Sequence, residues 1–310
     1  MDKYTKPPLT IGQQIQLLKS RKLVISDVTF AARILTTVGY YRLTAYLYPF
    51  RRKDGSNDFV PGTSIEKAWK YYRFDRKMRF LLIDAIERIE VAVKAMIVSR
   101  FTLTYGAFGY ADTANFGVPV NARRHKEMLD FIQSEMERSK EEFISHYKAK
   151  YDTAQGLPLW MATEIMTFGN MLTFFRLMKN TDKQIVSSHF GLPRQVFESW
   201  LVSLNYIRNV CAHHGRIWNR SLAVSPLIPR KMAEWHEEKY SVEPSRIYSI
   251  LCIFRFLLRY IAPQSRWSER LKELLAEFPD IPRLSMGIPA GFDQSELWKP
   301  KPRMLLGENK

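Results

Sequence analysis

Apolar positions along this chain recur at helical spacing, and alternating patterns are scarce, so the sequence predicts helices. Ser26 is placed to cap a segment in which Phe30, Ile34, Leu35 and Val38 keep that spacing up to Gly39. The aromatic stretch Gly39–Phe50 (GYYRLTAYLYPF) predicts another short helix, closed by Pro49 and the polar loop Arg51–Asp58. Thr63 and Glu66 have the spacing of a capping box. They would open a long helix whose face carries Trp69, Tyr72, Met78, Leu81, Leu82, Ala85, Ile86, Ile89 and Val93. On its other side Asp84 with Arg88, and Glu90 with Lys94, are spaced as ion pairs one turn apart.

A Gly- and Asn-bearing loop around 106–121 leads to a charged helix predicted over Ala122–Lys148, striped by Leu129, Ile132, Met136, Phe143 and Tyr147. Pro158 sits where a first helical residue is tolerated, ahead of WMATEIMTFGNMLTFF. Gly191 and Pro193 separate a short helix from the segment Arg194–His214. Two more helices are predicted near Ile247–Ile261 and Arg266–Phe278. A tail with Pro282, Pro289, Pro300 and Pro302 follows, anchored by residues such as Trp298. No internal repeat or low-complexity tract interrupts the pattern. The reading is an all-α protein in three parts: an N-terminal helical segment (1–62), a helical bundle (63–262), and a C-terminal helix with an irregular tail (263–310).

Composition narrows the function. With 46% hydrophobic, 13% aromatic and 25% charged residues, the 310-residue chain can bury a real core and is not wholesale disordered. Its 47 Lys and Arg outnumber 31 acidic residues, leaving +16, which makes a polyanion the expected partner. A membrane is not expected, because the apolar run Ile247–Phe254 ends at Arg255, far short of the roughly 20 residues a span needs. The opening MDKYTKPPLT lacks the apolar stretch of a signal peptide. Cys211 and Cys252 are the only cysteines, with no CxxC. Neither a disulfide framework nor a zinc site is therefore expected, no cofactor is called for, and a reducing cytoplasm fits.

The densest polar constellation follows the helix Arg194–His214 (RQVFESWLVSLNYIRNVCAHH). Phe197, Trp200, Leu201, Leu204, Ile207 and Cys211 share its inward face. Arg208, Asn209, His213 and His214 gather at its end, Gly215 is placed to stop it, and Arg216, Asn219 and Arg220 follow as candidates for holding RNA. No carboxylate interrupts the set. Such a set suits a phosphodiester. Arginine offers a planar fork to phosphate oxygens. Histidine can take the proton of a ribose 2′-hydroxyl or return one to the leaving 5′-oxygen. RNA carries its own nucleophile, and this route leaves a 2′,3′-cyclic phosphate and a 5′-hydroxyl. The plainer alternative is that Arg and His near a helix end cap carbonyls and favour the dipole. Cys211 reads as a small buried filler rather than a nucleophile. His125, His146, His189 and His236 stand alone, in surface or core roles. Adjacent helical residues diverge by roughly 100°, so His213 and His214 do not make a metal pair.

RNVCAHHGRIWNR (Arg208–Arg220) resembles the signature of abortive-infection (Abi) proteins of the AbiD/AbiF type. The resemblance extends through GYYRLTAYLYPF, Tyr72–Ile97 and Pro158–Met171, and more weakly to Met286–Pro289, in the right order over most of the chain. That family is similar to the HEPN group, helical bundles whose active members carry an Arg, a polar residue, and a His after a short gap. The resemblance implies a HEPN-like bundle with an N-terminal helical extension, metal-independent endoribonuclease activity in phage defence, and restraint by a cognate small non-coding RNA. Carried over, Arg208 stabilises the developing phosphorane charge, Asn209 orients the motif and His213 is the general acid or base. His214 can replace His213. Glu87 and Glu90 are candidate supporting residues, with an ordinary surface role as the alternative. A non-catalytic RNA-binding module and a sensor of phage protein are rival readings. Five residues of unbroken α-helix turn a side chain through roughly 500°, so Arg208 and His213 diverge by about 140°. Val210–Cys211–Ala212 holds no helix breaker, which favours a homodimer in which each phosphate meets both residues across a two-fold axis.

Overall fold

The computed structural model describes residues 3–117 and 122–299. Among these are twelve α-helices, and the only β-type contacts are the isolated bridges Val24/Ser64, Arg51/Phe59 and Phe116/Met178. The expected all-α class is the observed one. Helix α1 (Ile11–Ser20) opens with a capping box that the periodicity reading passed over: the Thr10 hydroxyl accepts from the Gln13 amide at 3.3 Å, and Gln13 accepts from the Thr10 amide at 2.9 Å. Helix α2 (Val28–Val38) is capped by Asp27, whose carboxylate accepts from the Phe30 amide at 2.9 Å. Ser26, the expected cap, instead donates to Glu66 at 2.9 Å. Helix α3 (Tyr40–Leu47) follows Gly39, whose φ of 86° suits glycine, and runs into a 3₁₀ turn at Tyr48–Phe50.

Helix α4 (Ile65–Tyr105) has 41 residues, hence a length of about 60 Å. Its cap is Ser64, which accepts from the Lys67 amide at 3.2 Å. The expected Thr63/Glu66 box does not form, because Thr63 donates back to the Val60 carbonyl at 2.6 Å and Glu66 is taken by Ser26. Two cores meet on this helix. The smaller joins Leu18, Leu35, Leu43, Leu47 and Phe59 to Ile65 and Ala68, at the start of α4. The larger takes Met78, Leu82, Ile86, Ile89, Val93 and Ile97 from its remainder. Each such side chain contributes about 1.5–3 kcal/mol on burial, which outweighs the weak propensity of any single turn. The pairs Asp84–Arg88 (3.4 Å) and Glu90–Lys94 (3.1 Å) form as spaced.

The helix predicted over Ala122–Lys148 is two, α5 (Ala122–Arg138) and α6 (Glu142–Lys150). No apolar residue lies between Met136 and Phe143, so nothing there holds a continued helix onto the core. The turn also brings Ile144 and Tyr147 inward and leaves Phe143 at the surface. Pro158 precedes α7 (Leu159–Ala162) as its cap rather than its first residue. The run behind it breaks at Met166, and Thr167 with Asn170 builds a fresh capping box for α8 (Phe168–Leu177). Then come α9 (Asn180–Ser188), α10 (Arg194–Ala212), α11 (Ile247–Ile261) and α12 (Trp267–Glu277). Helix α4 packs against α3, α9, α10, α11 and α12, and Trp267 donates from α12 to the Leu81 carbonyl at 2.8 Å. The tail is tied down by Trp298, stacked on Tyr248, and by Arg255, which donates to the Trp298 and Lys299 carbonyls. Pro300 and Pro302 lie outside the described residues. Among those described, no helix is long and apolar enough to cross a membrane.

Candidate functional site

Six side chains, Phe197, Trp200, Leu201, Leu204, Ile207 and Cys211, bury one face of α10 and fix its roll against α4 and α11. The helix closes with the Schellman pattern: the His214 amide donates to Cys211 at 2.9 Å and the Gly215 amide to Val210 at 2.7 Å. The residue that turns the chain is therefore His214, at φ 56° in the left-handed region, and not Gly215 as the glycine suggested. That conformation costs an L-residue about 1–2 kcal/mol. Gly215 is needed for closeness instead. A Cβ there would meet Val210 Cγ1 at 2.9 Å and the Val210 carbonyl oxygen at 3.1 Å.

The chain beyond is pinned to α4 through Asp75, which is fully buried. Its carboxylate accepts from Tyr46 Oη at 2.7 Å, from the Ile217 amide at 3.0 Å and from the Trp218 amide at 2.6 Å, and it pairs with Arg79. Burial raises the Asp75 carboxyl above the ordinary range, with Arg79 and these donors pulling it back. Burial and the neighbouring Asp75 push the Tyr46 hydroxyl up in turn. Arg42 donates to the His214 carbonyl at 2.6 Å, and Arg79 to the Gly215 carbonyl at 3.3 Å. Of the basic residues expected to hold RNA, Arg216 donates to the Ala45 carbonyl and Arg220 to Tyr206 Oη at 3.0 Å. Both are half-buried, as is Asn219, which takes φ 50°.

At the same helix end, Arg208 is half-buried and Asn209, His213 and His214 are exposed. Among the described residues, none of these four side chains makes a hydrogen bond or an ion pair. Helix α10 is unbroken to Ala212, so Arg208 and His213 diverge as the ideal geometry requires. His214, swung round by its left-handed turn, borders a pocket of about 490 Å³ together with Arg42, Tyr72, Arg76, Arg79, Phe80 and Cys211. No carboxylate lines it, and His213 stands outside it. Glu87 is exposed, and Glu90 is occupied by Lys94, which also donates to the Met166 carbonyl at 2.8 Å. Burial pushes the Cys211 thiol up to about 12, so it stays neutral at physiological pH. His125 and His236 bond the Tyr110 and Pro229 carbonyls at 2.8 and 2.9 Å. No cluster of three metal-ligating side chains occurs among the described residues.

Sequence reasoning missed Asp75, Arg79, Arg42 and Arg76. For the first two a signal existed: an acid and an arginine four apart, interleaved with the buried Phe74 and Met78 on the core face of α4. Arg42 and Arg76 carried none, because a cation on an amphipathic helix ordinarily faces solvent.

The fold is thus an all-α bundle that presents an unpaired Arg/Asn/His set on a tightly anchored helix end. The model of the family described as Abi-like protein matches residues 33–219, more than half of the chain, and the chain belongs to that family. Membership points to abortive infection, the defence of a cell population against phage. The matched span covers α3, α4 and α10, hence Asp75, Arg79 and every residue from Arg208 to Asn219. No curated protein and no solved structure matches the chain.

Proposed function

We propose that the protein is a metal-independent endoribonuclease of the HEPN kind, of AbiD/AbiF type, acting in the cytoplasm as a growth-arresting toxin. The observation that carries this reading is the unpaired Arg208, Asn209 and His213 at the end of α10, on a chain of net charge +16. His213 takes the proton of a ribose 2′-hydroxyl, whose oxygen attacks the adjacent phosphorus. The bond from phosphorus to the 5′-oxygen breaks, and that oxygen leaves with the proton that His213 returns. Arg208 holds the non-bridging oxygens as their charge grows, and Asn209 orients the pair. The uninterrupted helix between Arg208 and His213 supports a homodimer in which each phosphate is held by Arg208 of one protomer and His213 of the other. A cognate small RNA, held by the basic surface, restrains the enzyme.

The test is complementation. Arg208→Ala and His213→Ala chains should each lose about 10²–10⁴ in cleavage rate while staying folded, and a mixture should regain activity through one complete site. A strictly monomeric, fully active protein overturns the pairing. Growth arrest that survives in both variants, with RNA still bound, supports a non-catalytic RNA-binding module instead.

A further inference from the structure

The pocket beside His214 has no part in the chemistry just described, and its wall is chemically lopsided. Arg42, Arg76 and Arg79 all border it, with no acid among the lining residues. Arg79 is spoken for, since it pairs with the buried Asp75. Arg42 spends one nitrogen on the His214 carbonyl and keeps the rest of its fork. Arg76 is exposed and, among the described residues, makes no hydrogen bond or ion pair; its guanidinium carbon lies 5.0 Å from the Phe80 ring centroid. Phe80 itself is 62% exposed, a large aromatic left in water at the pocket rim, with the half-buried Tyr72 on the wall.

The neighbouring depression is a useful contrast. It shares Phe80 but is lined by Lys77, Arg270, Glu273 and Glu277. There Lys77 is paired with Glu277 at 2.5 Å and Arg270 with Asp84, so its cations are already neutralised. In that depression the cations face acids that neutralise them. The pocket at His214 has no acid on its wall.

We infer that this pocket binds one nucleotide of the RNA strand, flanking the cleaved bond: Arg42, Arg76 and His214 take a phosphate and Phe80 stacks on the base. Free guanidinium forks match phosphate oxygens, and an exposed ring beside them matches a base. A volume of about 490 Å³ suits a ligand of that size. His214 follows directly on His213, so a strand seated here runs past the end of α10 where the cut is made. The inference rests on RNA being the substrate and makes His214 a binding residue, distinct from His213.

The experiment uses the full chain and a labelled single-stranded RNA of about eight nucleotides with 2′-O-methyl groups, which lacks the nucleophile and cannot be cut. Its affinity is followed by fluorescence anisotropy over a range of salt, with each variant checked for an unchanged melting temperature. Arg76→Gln should weaken binding about tenfold or more and lower the salt slope by about 0.7, the loss of one phosphate contact on a single strand. Phe80→Ala should weaken it about 5- to 150-fold with the salt slope unchanged. Wild-type affinity in both Arg76→Gln and Phe80→Ala overturns the pocket, even if the protein cleaves natural RNA. Weakening by Arg76→Gln alone overturns the base-stacking half and leaves an anion site. If the parent never cleaves RNA while both variants bind poorly, the nuclease reading fails and the pocket stands.

Discussion

The α10 terminus carries two sets of polar side chains that are treated in opposite ways. Inward, Arg79, Tyr46 and two backbone amides converge on Asp75, and every donor aimed at that carboxylate is answered. Within a few residues along the chain, the side chains of Arg208, Asn209 and His213 make no hydrogen bond or ion pair among the described residues. A buried charge left unpaired destabilises the fold, so the inner network must be complete. An exposed one costs little, and its lack of a partner leaves it free for a ligand. The anchoring side supports the working side: the histidines stand on a chain segment whose amides and carbonyls are held by α3 and α4.

The sharpest break between the two sides is in stability. Asp75→Ala strands Arg79 and two amides and should cost about 3–5 kcal/mol in denaturant unfolding, whereas Arg208→Ala and His213→Ala should stay within about 0.5 kcal/mol of the parent. Comparable losses on both sides would erase the distinction. Gly215→Ala comes next. Its Cβ would press on Val210, which should cost about 1–3 kcal/mol and loosen the histidines together with the fold. An unchanged melting temperature would show that the turn is not tight. The smallest effect has the opposite sign. His214→Gly relieves a left-handed side chain and should stabilise the protein by about 1 kcal/mol while weakening RNA binding. A destabilised variant would mean that His214 is kept for packing.

Much of the fold was legible in the pattern of apolar residues. Helices α4, α10 and α11 carry long stripes that only a helix can bury, and they emerge close to the expected bounds. Some errors lie at helix ends, where one hydrogen bond decides between neighbours such as Ser26 and Asp27, or Thr63 and Ser64, and others where a predicted helix breaks, after Arg138 and at Met166. The Arg/His motif itself was visible because its residues are close in sequence. The pieces that frame it were not, since Asp75 meets Ile217 and Trp218 only through the tertiary fold, and Arg42 arrives from α3. The His214 turn was hidden by Gly215, because glycine ordinarily takes the left-handed position and here is required for space.

The central claim is that the unpaired Arg208, Asn209 and His213 cut RNA through its own 2′-hydroxyl. Purified protein incubated with single-stranded RNA in excess EDTA, with the product ends identified by mass spectrometry, tests it most directly. The account predicts undiminished cleavage, 2′,3′-cyclic phosphates and 5′-hydroxyls, all lost in His213→Ala. Cleavage that begins only when a divalent metal is added, leaving 3′-hydroxyls and 5′-phosphates, would contradict it.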